Sequence, residues 1–504
     1  MKEPEGEDMG SLWLEGRERR SLDAWEPDAH YDAIVVGAGL TGLTTALLLA
    51  RSGMNVAVIE ARHVGAVTTG HSTAKLSLLQ GSVLSGIRHH FSQKVVDAYV
   101  EGNREGQSWL LRYLTDMDIG VQHRPAYTYA ATSDGTELLD REFEAARDAG
   151  LPVERMDDTE LPYQTHGALR LENQAQFNPL DVLTAMVADL RSRDARVIEG
   201  VRVHDVDAGN PTTVFTDHGK VTCAEIILAT GTPILDRGLY FAKLIPSRSY
   251  AAAYRVPDGD LPHGMYLSID DPTRSVRTAE VADETLLLTG GNGHIVGRQS
   301  STNACVQDLH EWTLANFPGA ERTHRWSAQD YQSVNMVPFV GSLPRGRGRV
   351  FMATGYNKWG MTNAVAAALS LASDLLGGEI PWAKTLHHRV TRPASIATGA
   401  AFNASVAMNL AKGWAQADTA RSEEPGEGEG VIQQEGIKPV AVSVVDGKRC
   451  ALSAVCTHLG GIVNWNDAER TWDCPLHGSR FAIDGTLLEG PATEDLATMD
   501  EPDD

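Results

Sequence analysis

The sequence predicts an α/β fold built on a parallel sheet, with at least one further domain after it. An apolar run at 33–36 is followed by a glycine turn, a helical stretch at 40–52 and a second apolar run at 56–59, which is the pattern of a βαβ unit. Helical and strand-like segments continue to alternate to about Gly378, as they do in α/β proteins. Because 504 residues are too many for one ordinary domain, we expect two or three.

Composition narrows the classes of function. The 67 acidic and 44 basic residues give a formal net charge of −23, which would repel nucleic acid, so we expect no nucleic-acid partner. Five scattered cysteines are too few for a disulfide framework in a chain of this size, which favours a reducing compartment. The first residues do not have the pattern of a signal peptide, and no apolar run has membrane-spanning length. We therefore expect a cytoplasmic protein that is not inserted in a membrane.

A glycine fingerprint follows the first predicted strand. Gly37, Gly39 and Gly42 form G-x-G-x-x-G at the opening of a helix, and Glu60 ends the second strand. The first glycine permits a tight turn, the second lets the backbone approach a pyrophosphate at the helix N-terminus, and the third lets helix and strand pack closely. Glu60 is expected to accept hydrogen bonds from the adenosine ribose. The pattern predicts a dinucleotide site and leaves NAD and FAD open.

Two distant segments favour FAD. A strand at 226–229 runs into Thr230 and Gly231, and a strand at 350–353 runs into Gly355 and a helix that opens with Gly360, Met361 and Thr362. Such turns can aim backbone N–H groups at the carbonyl edge of an isoalloxazine ring and stabilise its reduced form.

Together with the fingerprint, these segments resemble the glycine and D-amino-acid oxidase superfamily of FAD proteins. The resemblance implies that loop 64–75 wraps the pyrophosphate and ribityl chain, with Ser72 and Thr73 as hydroxyl donors. It also implies that the backbone of Val203 meets the adenine. Segment 325–330 contains no cysteine, so we expect non-covalent FAD. The predicted cofactor contacts also include the two residues that follow Glu60, namely Ala61 and Arg62.

The most specific motif lies near the C-terminus. Cys456-x-His458 is separated by fifteen residues from Cys474-x-x-His477, and this pattern resembles the Rieske [2Fe-2S] motif. In such a cluster two thiolates hold one iron and two imidazoles hold the other, which raises the reduction potential above that of a four-cysteine cluster. A structural zinc site is the alternative, but zinc cysteines are usually two to four residues apart. Here each pair mixes one cysteine with one histidine.

The motif departs from the respiratory Rieske pattern at three positions. Gly461 and Leu476 stand where two loop cysteines would form a disulfide, so the loops must hold without it. Phe481 replaces a tyrosine that donates to a ligand sulfur, while Ser479 is retained as a donor. With one donor fewer, we expect a potential toward the lower part of the Rieske range of about −150 to +300 mV.

As a whole, the chain resembles bacterial FAD-dependent oxidoreductases fused to a C-terminal Rieske domain. The resemblance implies an α/β FAD-binding Rossmann-like domain with an α+β substrate domain, followed by a small all-β Rieske domain. We expect an N-terminal arm at 1–30, the oxidoreductase at 31–390, a helix and acidic linker at 391–430 and the Rieske domain at 431–504. Within the arm, Trp13 and Trp25 suggest packing on the body. The helix is predicted over 392–416 from apolar residues at intervals of four, which are Phe402, Val406, Leu410 and Trp414.

The pairing of cofactors favours a dehydrogenase. A small amine, amino acid or hydroxy compound would reduce FAD, and the cluster would pass electrons to an external one-electron carrier. One alternative is reverse flow, in which an external reductase feeds FAD through the cluster for a reductase or monooxygenase reaction. Another is a redox-sensing or docking protein. No acid–base constellation identifies catalytic residues, and the candidates near the flavin or its phosphates are Arg248, Tyr250, His294, Lys358, His71 and Lys75.

Overall fold

The structure is a computed structural model that describes residues 10–16, 23–257, 261–281, 284–420 and 424–499. The predicted N-terminal arm, the acidic linker and the last residues of the predicted Rieske domain therefore lie partly outside the described residues. Nine α-helices are formed by the described part, and they are α1 (Leu40–Arg51), α2 (Val83–His90), α3 (Gln93–Asp116), α4 (Thr136–Asp148), α5 (Pro179–Arg191), α6 (Thr302–Asn316), α7 (Gly360–Leu375), α8 (Pro381–His387) and α9 (Pro393–Ala417).

Two large sheets form the oxidoreductase part, with strands numbered in chain order. The first sheet contains β1 (His30–Val36), β2 (Val56–Glu60), β7 (Arg196–Glu199), β8 (Val203–Asp207), β9 (Thr212–Thr216), β10 (Gly219–Leu228), β16 (Phe339–Ser342) and β17 (Val350–Thr354). The second contains β3 (Lys75–Leu76), β4 (Val121–Tyr129), β5 (Glu154–Met156), β6 (Ala168–Phe177), β11 (Leu244–Arg255), β12 (Met265–Ser268), β13 (Arg274–Val281), β14 (Glu284–Ile295) and β15 (Glu321–Ser333).

The first sheet has the order β16-β17-β10-β1-β2-β7, and β17, β10, β1, β2 and β7 run parallel. Its central strands are buried on both faces, because α1 and α7 cover one side and the β8–β9 hairpin packs on the other. This explains the uninterrupted apolar runs at the predicted strands. The second sheet is mainly antiparallel, with β12 and β4 as a parallel pair.

The C-terminal module is entirely β-structure after α9. Its three-stranded sheet consists of β18 (Gly430–Glu435), β19 (Lys438–Val445) and β20 (Lys448–Ser453). Its four-stranded sheet consists of β21 (Asn464–Asn466), β22 (Thr471–Asp473), β23 (Arg480–Phe481) and β24 (Leu487–Glu489). One hydrophobic core joins both sheets, and it includes Trp472, Phe481 and the two motif cysteines.

The segments that flank the oxidoreductase part pack on it. Trp13 is buried and its indole donates to the carbonyl of Ser72, and the Trp25 indole donates to the carbonyl of His218. The predicted amphipathic helix is confirmed as α9, in which Phe402 is buried and Val406 and Leu410 pack against the core of the C-terminal module. Among the described residues, no helix combines the length and the apolar character needed to cross a membrane.

Candidate functional site

A cavity of about 220 Å³ opens at the carboxyl ends of the parallel strands β1, β10 and β17. Ligands of open α/β sheets bind at this edge because the turns after neighbouring strands meet there. Predicted contacts that line the cavity are Gly37, Gly39, Glu60, Ala61, Arg62, Ser72, Val203, Gly231, Gly355, Gly360 and Met361. The structure thus gathers residues that are separated by more than 300 positions in the sequence.

The glycine fingerprint is shaped by close backbone contacts. Gly37 has φ +104°, and a Cβ atom there would lie 2.5 Å from the carbonyl oxygen of Ala229 on the neighbouring strand. A Cβ atom on Gly42 would lie 1.9 Å from the carbonyl oxygen of Gly37. These two positions therefore accept only glycine. Gly42 itself does not line the cavity, so its contribution is the close packing of α1 on the turn.

The N-terminus of α1 faces the predicted pyrophosphate site. Gly39 is the N-cap residue and supplies no side chain, and the amide of Leu40 donates to Thr69 Oγ1 over 3.2 Å. Both Gly39 and Thr69 line the cavity. The positive end of the helix dipole is therefore directed into the cavity, where it would favour an anion such as a pyrophosphate.

Glu60 lies at the end of the cavity where the adenosine is predicted to bind. Its Oε2 accepts from the amide of Ala38 over 2.8 Å and its Oε1 accepts from the amide of Arg62 over 2.9 Å. Each carboxylate oxygen can accept a second hydrogen bond, so the group remains able to bind a ribose hydroxyl. Val203 lines the same region, beside Arg202.

Besides Gly42, two predicted contacts do not line the cavity. Thr73 is adjacent to the wall residue Ser72 but does not line the cavity. The Thr362 hydroxyl, buried in α7, accepts from Gln80 Nε2 over 3.0 Å. Gly360 and Met361 do line the cavity, and among the described residues no side chain caps the N-terminus of α7. Its first N–H groups are therefore available to a ligand.

Asp330 lines the cavity beside the predicted candidate Lys358, at the end where the isoalloxazine ring is expected, and was not identified in the sequence. Asp330 and Lys358 both line the cavity next to Gly355 and Tyr356, and Asp330 Oδ2 accepts from the Lys358 amide over 2.5 Å. Burial raises the pKa of Asp330, while the Lys358 charge opposes that rise. Lys358 was a candidate by residue type, but Asp330 lies on a strand without any motif. Its position became apparent only in the folded chain.

The C-terminal module supplies another wall of this cavity. Its lining residues are Leu488, Glu489, Gly490, Ala492 and Thr493. Two hydrogen bonds connect this wall to the oxidoreductase part. Arg202 Nη2 donates to the carbonyl of Leu487 over 2.8 Å, and the Tyr331 hydroxyl donates to the carbonyl of Gly490 over 2.9 Å. The predicted FAD site is thus shared between the two parts of the chain.

The four motif residues lie together in two loops of the C-terminal module. The Cys456 and Cys474 thiols are hydrogen-bonded to each other, and the rings of His458 and His477 lie 5.2 Å apart between centroids. His477 Nδ1 is buried without a partner among the described residues. His458 uses Nε2 to bond Asp236 over 3.2 Å, which leaves its Nδ1 for a metal.

This donor set fits a binuclear cluster better than one zinc ion. Paired sulfurs and paired ring nitrogens provide the ligands of two separate irons. A mononuclear zinc site needs four donors around one point. In the described ranges, no group of three or more His, Cys, Asp and Glu side chains is arranged to hold a single metal ion.

The loops hold together without a disulfide, as the sequence predicts, and all five cysteines are free. A Cβ atom on Gly461 would lie 2.6 Å from Leu476 Cδ1. The Leu476 side chain therefore packs directly on the Gly461 backbone and joins the two loops by an apolar contact. Ser479 bonds the Cys456 thiol and also accepts from the amide of Ala492 over 3.0 Å.

Three of the candidate residues face the C-terminal module. Arg248 Nε and Nη2 donate to the Glu469 carboxylate over 2.5 and 2.7 Å, and its Nη1 lies 3.3 Å from Glu489 Oε1. Tyr250 and His294 bond each other nearby over 3.1 Å. None of the three lines the flavin cavity, so the expectation that they act at the flavin is not supported by their position.

The phosphate-facing candidates also point elsewhere. Lys75 Nζ donates to Ser275 Oγ over 2.6 Å and to the carbonyl of Tyr266 over 3.2 Å, both on the second sheet. His71 Nδ1 lies 2.8 Å from the carbonyl oxygen of Val67, within its own loop. Neither residue lines the cavity. His71 and Lys75 were predicted from their side-chain type alone, and their hydrogen bonds hold both side chains outside the cavity lining.

Comparison with protein families agrees with both halves of the site. Residues 32–373 match the FAD dependent oxidoreductase family and residues 416–500 match the Rieske [2Fe-2S] domain. The chain is 31% identical over 497 residues to the Rieske 2Fe-2S iron-sulfur protein YhfW of Bacillus subtilis, with 97% of each chain covered. It is 23% identical over 364 residues to gamma-glutamylputrescine oxidoreductase of Escherichia coli, covering 69% of this chain and 84% of that one.

Among solved structures, the oxidoreductase part has the fold of glycine oxidase from Geobacillus kaustophilus. The TM-score is 0.60 at 18% identity, and 70% of this chain and 96% of that chain are covered. The chain thus belongs to the FAD-dependent oxidoreductase family, carries a Rieske domain at its C-terminus, and is an oxidoreductase that binds FAD and a [2Fe-2S] cluster.

Proposed function

We propose that this oxidoreductase oxidises a small amine, amino acid or hydroxy compound and passes the electrons through its own Rieske cluster to an external one-electron carrier. FAD supplies two-electron chemistry and can release electrons singly, and the cluster exchanges one electron at a time. Glycine oxidase and gamma-glutamylputrescine oxidoreductase, which resemble the first part of the chain, are named for an amino acid and an amine.

One observation carries the proposal, namely the short connection between the flavin cavity and the cluster ligands. Ala492 lines the cavity, its amide donates to Ser479 Oγ over 3.0 Å, and Ser479 bonds Cys456. Two hydrogen bonds therefore join the cavity wall to a ligand sulfur within one folded unit. We infer that a cluster held at this wall exchanges electrons with a flavin bound in the cavity.

The reactive end of the cavity suits a basic or zwitterionic substrate. Asp330 offers a buried carboxyl group, and Lys358 offers a cation beside it. A carboxylate can bind a protonated amine or take a proton from it, and an ammonium group can bind a carboxylate. We infer that this pair orients the substrate and holds the proton that oxidation releases.

The proposal is tested by anaerobic rapid mixing with a panel of amines, amino acids and hydroxy acids. We expect one class to bleach the flavin and then to produce the rhombic EPR signal of a reduced histidine-ligated cluster. In Cys474→Ser, which lacks a cluster ligand, the flavin should bleach at an unchanged rate and remain reduced.

Two outcomes would contradict the proposal. Bleaching without any cluster signal would show that the two centres are not in electronic contact. If no compound bleaches the flavin and an external ferredoxin-type reductase reduces first the cluster and then the flavin, the electrons flow in the reverse direction.

A further inference from the structure

The turn between β14 and α6 brings the oxidoreductase part against one of the two ligand loops of the cluster. Gly297 and Arg298 stand in this turn. Gly297 has φ +68°, and a Cβ atom there would lie 2.8 Å from the backbone nitrogen of Pro475 and 2.9 Å from the carbonyl carbon of Cys474. The turn is therefore in direct contact with the backbone that carries a cluster ligand, and glycine is required for this approach.

Arg298 is held beside this loop by three groups. Its Nε donates to the carbonyl of Pro475 over 2.8 Å, and its Nη1 donates to Ser405 Oγ of α9 over 2.9 Å. The guanidinium carbon lies 5.6 Å from the centroid of the Phe402 ring, which is a cation–π contact. Because Pro475 directly follows the ligand Cys474, these contacts fix a positive charge next to the cluster.

The charge of Arg298 has no carboxylate partner in the part of the chain that the structure describes. Its Nη2 is buried and has no hydrogen-bond partner among the described residues. Burial lowers the pKa of Arg298, and the negative charge of the Cys474 thiolate opposes this effect. An arginine stays protonated in proteins, and a buried charge is costly unless an opposite charge compensates it. The cluster and its thiolates are the source of negative charge beside this guanidinium.

A Rieske cluster gains that negative charge when it is reduced. Two ferric irons, two sulfides and two thiolates sum to zero charge, and one added electron leaves a single negative charge. A nearby cation stabilises the reduced form, and it does so more strongly where water does not screen it. Asp236 lies 3.2 Å from His458 Nε2 and has the opposite effect, but its side chain is 50% exposed and therefore screened. The buried Arg298 should outweigh it.

We propose that Arg298 raises the reduction potential of the cluster by compensating the negative charge that the cluster gains with one electron. The oxidoreductase part supplies this charge, so the potential depends on the docking of the two parts of the chain. In the transfer step one electron leaves the reduced flavin and enters the cluster, and a higher cluster potential favours this direction. The inference deepens the proposed function, and its statement about direction rests on that function.

The test is an EPR-monitored redox titration of the full-length protein with both cofactors bound. Arg298→Gln removes the charge, and Arg298→Lys keeps it. Ser405→Asp places a carboxylate at the partner of Nη1 and compensates the charge without changing Arg298, and Ser405→Asn is its uncharged control. Arg449→Gln removes an exposed arginine of the Rieske domain that pairs with Glu424.

We expect the charge-removing and charge-compensating variants to lower the midpoint. At the potential where the wild-type cluster is half reduced, the ratio of reduced to oxidised cluster should fall about tenfold in Arg298→Gln and in Ser405→Asp, which corresponds to about 59 mV. Arg298→Lys and Ser405→Asn should keep most of the wild-type ratio. Arg449→Gln should match the wild type, because solvent screens an exposed charge. Unchanged g values and iron content identify variants with an intact cluster.

A wild-type midpoint in Arg298→Gln, or equal midpoints in Ser405→Asp and Ser405→Asn, would overturn the inference. So would a midpoint in Arg298→Lys as low as that of Arg298→Gln, because contact geometry rather than charge would then set the potential. If Arg298→Gln assembles no cluster, the two Ser405 variants decide.

The titration uses dithionite and mediators and needs no substrate, so it is independent of substrate oxidation. If Arg298→Gln lowers the midpoint but no compound of the panel bleaches the flavin, the proposed function fails while the role of Arg298 stands.

Discussion

At the scale of single residues, hydrogen bonds to the ligand sulfurs adjust the cluster. Ser479 bonds the Cys456 sulfur and at the same time accepts from Ala492 in the cavity wall. Its hydroxyl is completely buried, so no water replaces the contact when it is removed. The serine therefore affects both the electronics of the cluster and the position of the wall.

Ser479→Ala should lower the reduction potential of the cluster. A donor to sulfur stabilises the more negative reduced state, and its loss is expected to lower the midpoint by on the order of 50 mV, since 59 mV corresponds to about 1.4 kcal/mol for one electron. EPR-monitored redox titration measures the shift. Ser443→Ala is the control, because this hydroxyl is buried in the same domain without a partner among the described residues. Equal potentials in both variants would contradict the role of Ser479.

Glu142 shows how one buried carboxyl group couples stability to pH. It accepts from the amides of Leu84 and Ser85 over 3.1 and 2.8 Å at the start of α2. Burial raises its pKa to about 7, above the value of about 4.3 in an unfolded chain. Between these pH values the folded protein binds more protons than the unfolded one, so stability falls as pH rises and levels off above pH 7.

Glu142→Gln should remove this dependence. Relative to the variant, the wild type is expected to lose about 3 kcal/mol of unfolding free energy between pH 4.5 and 7.5. Chemical unfolding at several pH values measures the difference. Glu144→Gln, an exposed position on the same helix, should retain the pH slope of the wild type. A wild-type slope in Glu142→Gln would show that another group is responsible.

At the scale of elements, a buried ionic cluster joins the second sheet to the Rieske domain. Arg248 of β11 meets Glu469 and Glu489, and Arg480 of β23 binds both of these acids and Asp473. Burial opposes the charge on Glu469, but Arg248 and Arg480 hold its pKa below the ordinary value. Arg248 thus adds its positive charge to the cluster only while the two domains are docked.

Arg248→Met should loosen this docking. It leaves the three acids Glu469, Asp473 and Glu489 facing Arg480 alone, and breaking such a cluster costs about 3–5 kcal/mol. Hydrogen exchange should show faster exchange in β22 and β23. Arg255→Met on the same strand removes an exposed pair with Glu284 and should leave the stability nearly unchanged, because solvent screens such a pair. If both variants exchange alike, the buried cluster does not hold the domains together.

At the scale of the whole molecule, the two domains share one cofactor cavity. Residues 488–493 contribute five lining residues, so the oxidoreductase part alone has an incomplete wall. The Rieske domain would therefore also enclose a flavin bound in this cavity.

Deletion of 421–504 should therefore weaken FAD binding by at least about tenfold, measured as the release of fluorescent FAD on dilution. Cys456→Ser in the full chain is the matched control, because it removes a cluster ligand and keeps the wall. We expect it to retain FAD. Equal loss in both proteins would show that the cluster, rather than the wall, secures the flavin.

The sequence by itself determined the features whose parts lie close together in the chain. Gly42 must be glycine because α1 packs on the turn at Gly37 a few residues earlier, and the φ of +104° at Gly37 favours glycine within the turn itself. The two ligand pairs of the cluster sit within loops of three and four residues. For the same reason α9 could be predicted from the period of its apolar residues. Features formed by residues that are close together in the chain therefore produce a recognisable sequence pattern.

Only the tertiary structure decided what faces the flavin from a distance. Neither Arg248 nor Asp330 belongs to a sequence motif that shows which of them faces the cavity. In the structure, Arg248 binds Glu469 in the Rieske domain, whereas Asp330 lines the cavity. Adjacent residues of a strand point to opposite faces, and what covers each face is set by segments more than 100 positions away. Such contacts depend on how sheets and domains pack, and this packing produces neither a periodic pattern of apolar residues nor a fixed spacing of motifs in the sequence.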